Sequence, residues 1–253
     1  MYPKIYLAAD NCFASKRWTT PDEWSDVLAD LGLHYVECSA DTELDPLFMG
    51  RDYMLDWVED VRRAEARTGV HPCSLYSGHG TYATLGLDHT DARVRRNMCD
   101  NWFKPLIDVA AALGAQLGFF AHCFSESVIQ DPARYREFTG YLEDGLTEIN
   151  GYAEEKGCSR LAVEQMYSPN QVPWTICGAA ELLKHVSDRS GRPFYFTEDV
   201  GHHQKKFIKP TAEDIRNGPD LPGDLPGLRG HCALLAPVHP QDGLTVDELL
   251  KKL

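Results

Sequence analysis

Asp199 and His202 lie three residues apart, directly after the aromatic run Phe194-Tyr195-Phe196-Thr197. A short apolar run with aromatics reads as a buried strand, and a chain leaving it can turn both polar side chains toward one point. Carboxylate with imidazole is a donor mixture that holds divalent zinc, manganese or iron. The plain alternative is an acid that caps a helix and a solvated histidine. Groups of the same chemistry recur upstream as Glu37, His79, His122 and Glu164. The intervals from Glu37 to His79, His122, Glu164 and Asp199 are 42, 43, 42 and 35 residues. A near-constant step is what one repeated structural unit produces, and each of these groups can ligate a metal or move a proton. Glu164 follows the apolar stretch ending at Val163, where a carboxylate is costly to bury unless paired or metal-bound. His122, behind Phe119-Phe120-Ala121, reads equally as a satisfied core histidine, His79 between glycines as an exposed turn residue, and Glu37 as an ion-pair acid. Asp10 is a weaker candidate, and His203 is expected to face outward.

The elements that would position these groups alternate along the chain. Strands are expected at Ile5–Ala9, His34–Cys38, Val70–Tyr76, Leu117–Ala121, Arg160–Val163 and from Phe194. Helices are expected between them. Thr20-Pro21-Asp22-Glu23 is a capping box with proline at the first helical position. Asp52–Arg67 carries Met54, Leu55, Val58 and Val61 on one face and stops at Gly69. A long helix runs from Asp91 to Leu113, another from the Asp131-Pro132 cap to Gly157, and another follows Pro173 to Gly191. Repeated strand–helix units predict a parallel sheet and an α/β fold of the TIM-type (β/α) barrel class. Each candidate group then falls at the C-terminal end of a strand, where such barrels place their sites. The reading is a single barrel domain over residues 1–253. A weaker helix is expected near Thr211, and 217–253 is an atypical Pro/Gly-rich segment with a final helix from Thr245.

Bulk properties exclude some partners. The formal net charge is −13, so there is no global basic footprint for nucleic acid or anionic membrane. Eight cysteines without a C-x-x-C pair read as reduced thiols of a cytoplasmic protein. No signal-peptide pattern opens the chain, and no apolar run is long enough to span a bilayer.

On Val163-Glu164-Gln165-Met166, Pro173-Trp174-Thr175 and Glu198-Asp199-Val200-Gly201-His202, the chain resembles the sugar phosphate isomerase/epimerase proteins of the xylose-isomerase-like barrel superfamily. The resemblance covers residues 1 to about 210. It implies that Glu164 and Asp199 bind a divalent metal, often manganese, and that His202 contacts substrate. Zinc, cobalt, magnesium and iron are the other candidates. The family completes its site with a histidine after strand seven and a glutamate after strand eight. Gly230-His231-Cys232 makes His231 the candidate third ligand, with His239 second, although both otherwise read as structural or exposed. No glutamate matches the eighth-strand ligand, and the 54 residues after Asp199 leave room for one further unit. The barrel is therefore expected to be incomplete or modified at strands seven and eight.

The reading is a divalent-metal-dependent sugar isomerase or epimerase acting on a ketose or sugar acid. Glu164 would abstract the proton next to a carbonyl and the metal would stabilise the enediolate. His79, His122, His202 and Glu37 would bind substrate, and Trp18, Tyr82 and Trp102 could wall the sugar face or equally belong to the core. A homo-oligomer could complete the site. Three rivals share the scaffold: an apurinic-endonuclease-like phosphodiesterase with three zinc ions, a metal-dependent lyase, and a non-catalytic sugar-binding barrel. The acidic balance and the small basic patch Lys205, Lys206 and Lys209 weigh against the nuclease.

Overall fold

In a computed structural model the structure describes residues 6–78, 86–121, 123–166 and 168–199, apart from the side chains of Ile176 and Cys177. Six strands form one sheet in chain order: β1 (Ala9–Asp10), β2 (Tyr35–Ser39), β3 (His71–Ser77), β4 (Gln116–Phe119), β5 (Leu161–Glu164) and β6 (Tyr195–Thr197). Each neighbouring pair is parallel. The helices between them are α1 (Pro21–Asp30), two short turns α2 (Ala40–Glu43) and α3 (Pro46–Met49), α4 (Arg51–Thr68), α5 (Ala92–Met98), α6 (Lys104–Leu113), the turn α7 (Glu126–Ile129), α8 (Pro132–Lys156) and α9 (Ile176–Ser190). Repeated parallel βα units give the α/β architecture of a TIM-type barrel. The part of the chain where the barrel was expected to be incomplete or modified, with the Thr211 helix and the 217–253 segment, lies outside the described residues.

Strand pairing assigns a face to every residue. Leu75, Leu117 and Leu161 align across β3, β4 and β5, as do Phe119 and Val163, and all five are fully buried under the helices. Against them pack Trp24 and Leu28 of α1, Val58 and Val61 of α4, Leu106 and Ile107 of α6, and Leu142, Leu146 and Ile149 of α8. The other face carries Glu37, Ser74, Tyr76, Gly118, Ala162, Glu164 and Thr197, small or polar residues in place of a second apolar layer. Strands that alternate apolar with polar in this way present one face to helices and the other to the barrel interior.

The helix signals in the sequence act as expected. Thr20 Oγ1 accepts from Glu23 N, and Glu23 Oε2 accepts from Thr20 N at 3.1 Å. Gly114 and Gly157 close α6 and α8 in the left-handed conformation that only glycine adopts without penalty. Two expectations change. The first strand forms at Ala9–Asp10, paired with Val36 and Glu37 of β2, while Tyr6 and Leu7 are exposed and Ile5 lies outside the described residues. The helix expected from Asp91 to Leu113 is interrupted by a π-helical turn over Cys99–Phe103, in which Lys104 N–H reaches back five residues to Cys99. Pro105 explains the break: it has no N–H to donate and its ring crowds the carbonyl four residues before it.

Of the two readings open for Trp102, sugar wall or core, the structure gives core: its ring is edge-on to Phe103 at 4.5 Å. Trp18 is half-buried, its ring centre 6.1 Å from that of Phe13. The six described cysteines are free thiols, with Cys38, Cys99 and Cys158 buried. No described helix is long and apolar enough to cross a membrane.

Candidate functional site

Glu164 is the last residue of β5, 7% exposed, on the inner face opposite Thr197 of β6. Strand pairing puts Thr197 on the same face as Glu164, and Asp199, half-buried, follows two residues beyond the end of β6. Glu37, expected near a strand end, is instead the middle residue of β2, half-buried on that face beside Ser74 of β3, because β2 continues to Ser39. Burial raises its pKa, the nearby Asp10 carboxylate adds to the rise, and Ser74 opposes it. Asp10 itself is exposed and caps the turn that follows it, accepting from Cys12 N at 2.8 Å. His79, His122, His202, His203, His231, His239, Tyr82 and the lysines at 205, 206 and 209 lie outside the described residues.

A residue that sequence reasoning treated only as the end of a strand belongs to this group. Tyr76 of β3 donates its hydroxyl hydrogen to Glu164 Oε2 across the intervening strand β4. Gly118 of β4 makes room for it. A Cβ there would sit 3.1 Å from Tyr76 Cδ2 and 3.1 Å from Thr197 Oγ1. Burial, then the neighbouring Glu164, Asp41 and Glu37 carboxylates, raise the phenol pKa far above its usual value, so the hydroxyl stays protonated and donates. The signal available in the sequence was the pairing parity that puts Tyr76 with Ser74 on the polar face. The 88 residues between Tyr76 and Glu164 hid the contact.

Loops at the same end are held by polar side chains. Asp41 of α2 accepts from the Ser77 hydroxyl and, at 2.9 Å, from Gly78 N, which fixes the chain as it leaves β3 toward His79. Asn11 accepts from Ser39 N at 2.7 Å and donates to Glu43 at 3.0 Å, joining the ends of β1 and β2. The segment after β5 is tied to the one after β4. Phe124 N donates to Asn170 O at 2.7 Å, and Asn170 Nδ2 lies 3.3 Å from Cys123 Sγ. Thr175 caps α9 by accepting from Gly178 N at 2.9 Å.

The donor set at the strand ends is made of hard carboxylate oxygens, which suit manganese, magnesium or cobalt better than a soft, thiophilic ion. A second acidic group, Cys99, Asp100 and Glu148, has potential ligand atoms within 4.8 Å of one another on the outer helices. It does not fit a metal. Arg96 and Lys104 already hold both carboxylates at 2.6–2.9 Å, and the Cys99 thiol is pushed up to about 12, chiefly by burial.

The fold is a TIM-type α/β barrel, with Glu164 at the C-terminal end of β5 on its inner face. The chain belongs to the xylose isomerase-like TIM barrel family, whose model matches residues 25–222. No curated protein matches it. Among solved structures, a xylose isomerase candidate from Rhodospirillum rubrum ATCC 11170 is 26% identical, with a TM-score of 0.71 over 79% of this chain and 67% of the other. D-psicose 3-epimerase from Clostridium cellulolyticum H10 is 14% identical, with a TM-score of 0.59 over 83% of this chain and 69% of the other. The 3-keto-D-glucoside 4-epimerase of E. coli is 13% identical, with a TM-score of 0.58 over 79% and 70%. The structural neighbours are thus sugar isomerases and epimerases.

Proposed function

We propose that this protein is a divalent-metal-dependent sugar isomerase or epimerase that removes a proton next to a carbonyl of a ketose or sugar acid. The observation that carries the reading is Glu164, a glutamate at the end of β5, 7% exposed on the polar inner face, with Asp199 two residues past the end of the neighbouring strand β6. Glu164 and Asp199 would hold the ion, manganese first among the candidates, with His231 as the third ligand. The ion, when bound, would supply a Lewis acid that polarises the carbonyl and offsets the charge of the enediolate.

The chain's own residues do the rest. Glu164 accepts the proton from the carbon, a role that needs a carboxylate already desolvated and aimed. Glu37, half-buried and with its pKa raised, reaches the substrate's hydroxyls from the β2 side. His79, His122 and His202 follow equivalent positions in the repeat and would donate or accept hydrogen bonds along the sugar. The sugar isomerases and epimerases among the structural neighbours support this reading over a phosphodiesterase. Oligomeric assembly, the cytoplasmic setting and the exact sugar belong to the same proposal.

The test has two arms. Manganese titrated into the protein should bind at one ion per chain. Asp199→Ala should lose that binding, while Glu148→Ala, in the outer cluster, should keep it. With a panel of ketoses in deuterium oxide, the wild type should exchange a carbon-bound hydrogen and Glu164→Gln should not. Exchange that survives Glu164→Gln would falsify the assignment of the proton acceptor.

A further inference from the structure

We propose that Tyr76 is a positioning residue for Glu164: its hydroxyl holds Oε2 and so fixes the orientation of the carboxylate. The inference rests on the proposed metal and sugar site and adds to it a residue outside the ligand set. Three observations carry it. The hydroxyl of Tyr76 donates to Oε2 of Glu164. The ring reaches its partner by lying across β4, a path open only because residue 118 is glycine. Glu164 is 7% exposed, so its carboxylate is oriented by protein groups more than by solvent.

The physical logic is that of an outer partner to a ligand. A carboxylate free to rotate about its last bond loses orientational entropy on binding an ion, and a fixed donor removes that cost beforehand. The same donor keeps the proton-accepting oxygen aimed at one point above the strand ends, and small misplacements there are costly in rate. A tyrosine suits the task because its ring is rigid and its reach spans one intervening strand. Gly118 belongs to the device. Any side chain there would meet the Tyr76 ring and Thr197, which sits opposite Glu164.

Tyr76→Phe deletes the hydroxyl and keeps the ring, so the space over Gly118 stays filled. Manganese affinity measured by calorimetry should fall about tenfold in this variant, within the range typical for loss of a ligand's outer partner. The rate constant for sugar hydrogen exchange should fall by about 10–100-fold, with KM changed less than about threefold. In a Glu164→Gln background the same Tyr76→Phe change should alter manganese affinity by less than about twofold, because the effect runs through the carboxylate. A purely structural role would weaken both backgrounds alike. Gly118→Ala, which keeps the hydroxyl and crowds the ring, should weaken manganese binding in the same direction.

Tyr76→Phe binding manganese and exchanging hydrogen as the wild type does would overturn the role of Tyr76 and leave the proposed function standing. So would an equal loss in both Glu164 backgrounds, or unchanged affinity in Gly118→Ala. A wild type that binds no manganese and exchanges no sugar hydrogen would overturn the site and the role of Tyr76 together.

Discussion

The indole N–H of Trp57 donates to the Glu43 carboxylate at 2.8 Å, joining α4 to the turn that follows β2. The same oxygen accepts from the indole of Trp24 in α1 at 3.3 Å, and the other oxygen accepts from Asn11 Nδ2 at 3.0 Å. One buried acid thus gathers three donors from three elements beneath the loops that frame the site.

Replacing Glu43 with alanine should strand those three donors in a dry environment. Each buried unsatisfied donor costs about 1–3 kcal/mol, so a total loss of about 3–5 kcal/mol is expected after partial relaxation. Urea unfolding of Glu43→Ala against the wild type measures it. A loss below about 1 kcal/mol would mean that water enters and replaces the carboxylate.

Asp88 predicts a pH dependence. It is 4% exposed, and burial pushes its carboxyl up to about 8, with its own backbone N–H and Arg95 pulling the other way. A carboxyl raised in the fold keeps its proton where the unfolded chain has lost it. Its contribution is fully present below the ordinary aspartate value of 3.8 and declines as pH rises toward about 8. Asp88→Asn stays neutral throughout. Relative to the wild type it should gain stability, on the order of 1–3 kcal/mol, between about pH 4 and pH 9. A stability difference independent of pH would show that Asp88 is ionised in the folded protein at neutral pH.

The glycines of α8 should respond in opposite directions. A Cβ at Gly140 or Gly151 meets nothing within 4 Å, so alanine at either should stabilise the helix by about 0.5–1 kcal/mol. A Cβ at Gly145 would lie 3.1–3.2 Å from three atoms of Leu87, a residue 2% exposed. Overpacking there should outweigh the helical gain and leave Gly145→Ala less stable by about 1 kcal/mol. Thermal melts of the three single variants decide it. A stabilised Gly145→Ala would mean that Leu87 yields freely.

Most of the scaffold up to Thr197 was legible in the chain because its signals are local. Thr20 with Glu23, Asp131 with Pro132, and the closing glycines at 69, 114, 157 and 191 each act within a few residues of where they stand. The strand boundaries from β2 to β6 fall within two residues of expectation. The short turns at Asn11–Ala14, Ala40–Glu43, Pro46–Met49 and Glu126–Ile129 were not legible. They are too brief to show periodicity, and packing and caps form them.

The candidate site divides along the same line. Glu37, Glu164 and Asp199 were singled out by residue type and a near-constant interval; the repeated unit ends β5 at Glu164, while Glu37 lies in the middle of β2 and Asp199 two residues past β6. Nothing local distinguishes Tyr76 from an ordinary strand aromatic or Trp102 from a sugar platform. Those roles depend on which residue stands in the next strand or under the next helix. Gly118 opens a path for Tyr76 to Glu164, and Phe103 packs against Trp102 in the core. The sequence by itself determined the alternating elements, their caps and the order of the acids. Tertiary structure alone decided which side chain reaches across a neighbouring strand, because that contact depends on the space left by a third residue remote in the chain.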